Sequence, residues 1–363
     1  MHNHQKCQRN SKPYRGPAQW DSLQEPTKVK TILVTGIGGN VGQGILRNIL
    51  ADVCSYRTIG TNTTPVSAGN RFIDVFYAMP FGLDPSYIPE MLAIVKSEGV
   101  DLIIPSTDFE MMQLSKFSDA FECPIACSGP ASAEIYLDKY RTYQEHRKAQ
   151  IPFAETCLPS SYQNQFSRAL AKPRRGRGSR GLIFDPTEFS QLSDEDYVIQ
   201  ELHQGREITT AVYRCYMDGV IHGSISMYRT LHYGATDYCR VVRDYDAALR
   251  DIAEKMASNF DIRGSFNIQS IVTDSGEIHP FEVNCRISGT NSIRSHFGFA
   301  DVNYALSELL WHKAPKKFEA VDGEAYRYLA DVIYLDSNPA TLAHQKNENG
   351  SEVIDSAQRP LNK

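Results

Sequence analysis

The stretch "TILVTGIGGNVGQGILRNIL", Thr31 to Leu50, commits the start of the chain to one local fold. Ile32, Leu33 and Val34 form an apolar run that reads as a buried strand. Val41, Ile45, Leu46 and Ile49 recur at helical spacing, and Gly36, Gly39 and Gly42 mark the turn between them. Strand, glycine turn and helix in that order leave free peptide N–H groups at the helix N-terminus, which suits an anion. A dinucleotide would also need an acidic residue at the end of the second strand to hold its ribose. That place reads "TIGTNTTP", with no Asp or Glu from Thr58 to Asn70, and no Tyr-x-x-x-Lys pair of dehydrogenase type follows.

Apolar runs and helical patterns keep alternating from Lys30 to Cys127, which predicts a small parallel sheet. "ASAEIYLDKYRTYQEHRKAQ" reads as one long helical region. "ALAKPRRGRGSRGLIF" reads as strand, Gly/Arg loop, strand. The segment from Asp196 to Gly234 reads as antiparallel strands turning at Gln204-Gly205 and Asp218-Gly219, and "DYDAALRDIAEKMASNFDI" as an amphipathic helix. The expected organisation is an N-terminal extension over 1–28, an α/β domain over 29–129 and an α+β region over 130–315, divided at 196/197. A C-terminal extension covers 316–363, polar and mobile after 336.

With 363 residues, the chain has room for two or three cores. No apolar run approaches the ~18–20 residues that cross a bilayer, so no membrane partner is expected. A net charge of −5 argues against nucleic acid, although Arg174, Arg175, Arg177 and Arg180 cluster in one loop without interleaved aromatics. The polar start "MHNHQKCQRN" is not a secretory signal, and the eight scattered cysteines have no C-x-x-C spacing. Both point to a reducing cytoplasm.

Chemistry concentrates in "FNIQSIVTDSGEIHPFEVNCRISGTNS". Strand alternation puts Glu282, Asn284 and Arg286 on one face and Phe281, Val283 and Ile287 on the other. A four-residue loop, Thr273 to Gly276, places Asn267 opposite Glu282 and Gln269 opposite Pro280, with both polar sets on one face. One carboxylate and two amide oxygens suit a hard cation such as Mg²⁺, and an arginine fork suits a phosphoryl or acyl-phosphate oxygen. Cys285 reads as a packed thiol behind this strand.

The pattern Q-x(12)-E-V-N-C-R-I-S-G-T resembles the metal signature of ATP-grasp enzymes, nearest to the carbamoyl phosphate synthetase large subunit and its short stand-alone relatives. The resemblance runs over roughly residues 30 to 315. "YLDKYRTYQEHRKAQIPFAET" is similar to the entry segment, "AKPRRGRGSRG" to the glycine loop that closes over phosphates, and "VIQELHQGREITT" to the adenine hinge.

The implied fold is a Rossmann-like pre-ATP-grasp domain followed by an ATP-grasp domain, whose two subdomains clamp ATP. Gln269, Glu282 and Asn284 would hold two Mg²⁺ or Mn²⁺ ions. Lys139, Lys172, Gly176, Gly178, Ser179 and Gly181 would meet the phosphates. The Glu201 carbonyl and Leu202 N–H would pair with adenine, and Glu207 with the ribose. Arg286 would steady the transferred phosphoryl group, and Arg294 a substrate carboxylate. The implied activity is ATP-dependent joining of a small carboxylate to an amine through an acyl phosphate, in a chain that can form a homodimer. Two other activities also fit: phosphorylation of bicarbonate or carbamate, and nucleotide binding without ligation.

Overall fold

The computed structural model describes residues 29–176, 180–189 and 191–334, and the backbone of 353–355. The first sheet is parallel, in the order β3-β2-β1-β4, from β1 (Lys30–Val34), β2 (Tyr56–Asn62), β3 (Val75–Ala78) and β4 (Leu102–Ile104). Helices α1 (Asn40–Leu50) and α2 (Tyr87–Glu98) belong to the crossovers, and α3 (Asp108–Lys116) follows β4. Alternation on β1 feeds two cores. Ile32 and Val34 join Ile45, Leu46 and Ile49 of α1, whereas Leu33 joins Met91, Ile94 and Val95 of α2. Gly36 adopts φ +58°, and a Cβ there would lie 2.5 Å from Ser106 Oγ, so only glycine fits the turn.

The expected long helix is two helices, α4 (Pro130–Leu137) and α5 (Lys139–Lys148). Asp138 breaks it. Its backbone is extended, and its carboxylate accepts the N–H groups of Tyr140 and Arg141. A short acceptor side chain gains more as an N-cap than inside a helix. The break also aims Lys139, the next residue, at the glycine loop.

A second, antiparallel sheet has the order β5-β8-β6-β7, from β5 (Thr156–Cys157), β6 (Ala169–Pro173), β7 (Ile183–Phe184) and β8 (Tyr197–Glu201). The third has the order β13-β12-β9-β10-β11-β14. Its strands are β9 (Arg206–Arg214), β10 (Ile221–His232), β11 (Ala235–Val242), β12 (Gly264–Val272), β13 (Ile278–Asn284) and β14 (Glu324–Tyr326). Helix α6 (Asp246–Asn259) packs Ile252 and Met256 on Val212, Phe266 and Ile268. The opposite face of the sheet, with Ala211 and Tyr213, meets Leu306 of α8 (Asp301–Trp311) across from the short α7 (Asn291–Arg294). Finally β15 (Val332–Tyr334) pairs with β16 (Val353–Asp355). The rest of the tail expected to be mobile lies outside the described residues, as does the N-terminal extension.

The β12–β13 register differs from the sequence expectation by two residues. Gln269 faces Glu282, and Asn267 faces Asn284. The loop is one residue longer, because Thr273 N–H closes on Glu277 O at 3.0 Å. A bulge between Gln269 and Ser270 adds the second residue, with Ser270 opposite Pro280. Proline has no N–H to give a regular ladder, so a bulge there follows from its chemistry.

Candidate active site

A cleft of about 970 Å³ runs between the three sheets. Its floor is the end of β13 and the facing part of β12. Gln269 Nε2 donates to Asn284 Oδ1 at 3.1 Å, and Asn284 Nδ2 donates to Glu282 Oε1 at 3.2 Å. The proposed metal set is therefore one contiguous row. Burial alone would raise the Glu282 pKa, but Lys139 and Lys172, with the Asn284 hydrogen bond, outweigh it and hold the carboxyl below its usual range. One ionised carboxylate beside two amide oxygens fits a hard divalent cation completed by phosphate oxygens and water.

Lys172 sits on β6, 3% exposed, and reaches across to the third sheet. Its Nζ donates to Gln200 Oε1 at 2.6 Å and to the Phe281 carbonyl at 3.0 Å. Burial lowers its pKa to about 7, with Glu282 opposing and Lys139 adding to the shift. Lys139 Nζ donates to Gly176 O at 3.3 Å, and its N–H to Arg174 O at 3.0 Å. Arg174 in turn holds Asp138 at 2.6 Å, so helix break, loop and lysine form one unit. Gly176 lines the cleft, and Gly181 takes φ +71° against Pro173. Gly178 and Ser179 lie outside the described residues.

The adenine end differs from expectation in one place. Leu202 N–H already donates to Arg168 O at 3.0 Å, so it is not free to meet a base. The next residue, His203, makes no backbone hydrogen bond among the described residues and takes over as the candidate donor. Its ring stacks on His279 with centroids 3.6 Å apart and planes at 13°, and both line the cleft beside Glu201. Burial, then His279, holds His203 below its usual pKa. Glu207 is present in the cleft, paired to Arg229 Nε at 2.6 Å. Arg229 Nη2 also donates to Gln269 Oε1 at 2.8 Å, linking Glu207 to the Gln269–Asn284–Glu282 row. Sequence reasoning missed Arg229. Its signal is a lone arginine within the strand "IHGSISMYRTLH".

Arg286 and Arg294 part company. Arg286 lines the cleft, donates to Asp108 Oδ2 at 2.6 Å, and leaves a buried Nε without a partner among the described residues. Arg294 is fully buried, and its fork is engaged by Asp301, Ser288 Oγ (2.7 Å) and Thr290 Oγ1 (2.8 Å). Four of its five N–H groups are engaged and it is not among the residues that line the cleft, so the expected carboxylate role is corrected to a brace between α7 and α8. Cys285 is buried, and burial drives its thiol pKa well above the usual value, as a packed thiol requires.

The glycine turn joins the same cleft through Gly36, Gly39, Asn40 and Val41. Beneath it, Glu110 accepts from Thr35 Oγ1 at 2.9 Å and Thr107 Oγ1 at 2.6 Å. That acidic side chain lies 3.2 Å from where a Gly36 Cβ would start, which opposes a pyrophosphate at the turn.

Residues 136–290 match the family model of the ATP-grasp domain, and residues 32–126 that of the PylC-like N-terminal domain. The chain is thus a PylC-like N-terminal domain followed by an ATP-grasp domain, a member of the ATP-grasp superfamily. No curated protein matches its sequence. Solved structures carry the same architecture. N5-carboxyaminoimidazole synthetase from Staphylococcus aureus, solved with ADP, superposes with TM-score 0.65 at 13% identity, over 82% of this chain and 83% of that one. N5-carboxyaminoimidazole ribonucleotide synthetase from Thermotoga maritima gives 0.64 at 17%, over 85% and 81%. The biotin carboxylase domain of Hydrogenobacter thermophilus 2-oxoglutarate carboxylase, solved with MgADP and bicarbonate, gives 0.63 at 12%, over 81% and 73%. Among the described residues no helix is long and apolar enough to cross a membrane.

Proposed function

We propose that this chain is an ATP-dependent ligase that activates a small carboxylate as an acyl phosphate for attack by an amine. The supporting observation is one cleft wall that combines Lys172, Glu282, Asn284 and Arg286. Phosphoryl transfer needs positioning and charge neutralisation more than covalent help from the protein. Lys139 and Lys172 would neutralise phosphate oxygens, and Arg286 would steady the group in flight. Gln269, Glu282 and Asn284 would hold Mg²⁺ or Mn²⁺, which when bound supplies further positive charge to the phosphates. The His203–His279 stack and Leu170 would flank the base, and Glu207 the ribose. The carboxylate oxygen attacks the γ-phosphorus and ADP leaves. The amine nitrogen then attacks the acyl carbon, and phosphate leaves with the C–O electron pair.

The test is ADP release with MgATP, screened over amino acids and small acids. Stimulation by at least one carboxylate–amine pair is expected. The absence of both stimulated release and MgATP stabilisation against heat would overturn the reading. Stabilisation by MgATP without release would leave a nucleotide-binding protein. Bicarbonate is the second candidate for the activated group, since one structural neighbour was solved with that anion. Bicarbonate as sole carboxylate in the same assay decides this. NAD is expected to give no thermal shift.

A further inference from the structure

We infer that Asp108, with Phe81 beside it, seats the ammonium group of the amine substrate and favours amines with an apolar body. This rests on the ligase reading and names one side of its chemistry. Asp108 is the first residue of α3, directly after the cap residue Thr107. A carboxylate there is stabilised as an anion by the helix N-terminus. Its side chain is 15% exposed, and it meets Arg286, itself 11% exposed.

Arg286 holds Asp108 through Nη2 alone, so a turn of its fork toward a phosphoryl oxygen opens that ion pair. When Arg286 turns its fork to a phosphoryl oxygen, Asp108 is left recessed without its cation. An uncompensated carboxylate in such a site is costly. A substrate ammonium removes the deficit by taking the place of the guanidinium. It then stands one side chain away from the group Arg286 holds, and on passing one proton to the Asp108 carboxylate it becomes the neutral amine whose lone pair attacks the acyl carbon, a second proton leaving with the phosphate. Glu110, the neighbouring acid, is already engaged by the hydroxyls of Thr35 and Thr107, which leaves this role to Asp108.

The cleft wall near Asp108 carries one exposed aromatic ring among polar side chains, Phe81, packed on Phe109, the residue after Asp108. Phe81 lines the cleft, 42% exposed, and tilts against Phe109 with centroids 5.2 Å apart. Gly82 follows, so close to α3 that a Cβ there would lie 3.1 Å from Glu110 N. An exposed phenylalanine held at a cleft wall by such packing is a ready contact for a hydrocarbon or ring.

The experiment uses the full chain and follows its melting temperature with benzylamine, benzyl alcohol and methylamine, each with and without MgADP. Benzylamine is expected to raise the melting temperature, benzyl alcohol to do nothing, and methylamine to act more weakly. Asp108→Asn keeps shape and removes the charge, so its apparent benzylamine affinity should fall at least tenfold while its MgADP response persists. Phe81→Ala alters a part-exposed side chain and should bring benzylamine down to the level of methylamine. An undiminished benzylamine response in Asp108→Asn, or equal responses to benzylamine and benzyl alcohol, overturns the seat. So does a parent protein that ignores all three probes. Should Asp108→Asn not fold, Phe81→Ala decides alone, with unchanged discrimination counting against the seat. The MgADP response is read separately: its loss with the amine response intact overturns the ligase reading instead.

Discussion

Lys172 and Arg294 are both buried basic side chains, yet they are buried in opposite ways. Arg294 is sealed by Asp301 and two hydroxyls, so its charge is matched inside the fold. Lys172 meets only neutral oxygens, Gln200 Oε1 and a backbone carbonyl, with Glu282 acting on it as a charge. A matched buried ion belongs to stability. An under-matched one at a cleft wall is a site awaiting an anion. Sequence spacing cannot separate the two cases, because the partners of both come from distant elements.

The largest effect that would break this comparison is on turnover. Lys172→Met and Glu282→Gln should each lower ADP release by ~10²–10⁴, as losses of preorganised charge do elsewhere. Lys172→Met should not weaken the fold, since it removes a charge its neighbours do not match, whereas Glu282→Gln should cost some stability, because the folded state holds that carboxylate below its usual pKa. Steady-state turnover beside urea unfolding checks both halves. Parent-like turnover in both variants would end the ATP-grasp site assignment.

Arg294→Met reverses the pattern. It strands Asp301, and stability should fall by about 3–5 kcal/mol. The double variant with Asp301→Asn should recover part of that loss. Turnover per folded molecule should stay near the parent value. A stable Arg294→Met with lost turnover would return Arg294 to the substrate.

A third buried base sharpens the rule from the neutral side. His146 lies between Phe260, Phe153 and Tyr136, and burial lowers its pKa to about 4. The unfolded chain binds that proton near pH 6.5, so stability is present above 6.5 and is lost as pH falls towards 4. The loss is up to about 3 kcal/mol, at ~1.4 kcal/mol per pH unit. Urea midpoints across that range should show it, and His146→Leu should flatten the slope.

Much of this was legible beforehand, for local reasons. The β1–turn–α1 unit follows from apolar runs and glycines, and the neighbouring Glu282 and Asn284 from alternation along β13, with Arg286 just beyond its end. What failed depended on partners. Asp138 split a helix because its carboxylate also serves Arg174. A bulge at Pro280 and a longer turn moved Gln269 opposite Glu282. The Leu202 N–H expected at the hinge is taken by the carbonyl of Arg168, the residue just before β6. Arg229 and Asp108 came to light only when the sheets met around one cleft.

The smallest predicted effect is the most direct probe of the under-matched lysine. With a pKa of about 7, Lys172 is about half charged at pH 7 and mostly neutral at pH 8 in the free protein. Phosphate oxygens beside it favour the charged form, so nucleotide binding should draw in a proton. Calorimetry of MgADP binding in buffers of different ionisation enthalpy should show uptake of about half a proton at pH 7, more at pH 8 and almost none below pH 6. The fold carries the matching sign. Between pH 7 and 10.5 the unfolded lysine holds a proton that the native one lacks, so this residue's contribution to stability falls as pH drops through that window and is flat below it. Lys172→Met should abolish the uptake, and Arg294→Met should leave it intact, because Arg294 is sealed away from the cleft lining. Equal uptake in the parent and in Lys172→Met would show that the lysine is already matched, and the contrast between the two buried cations would fail.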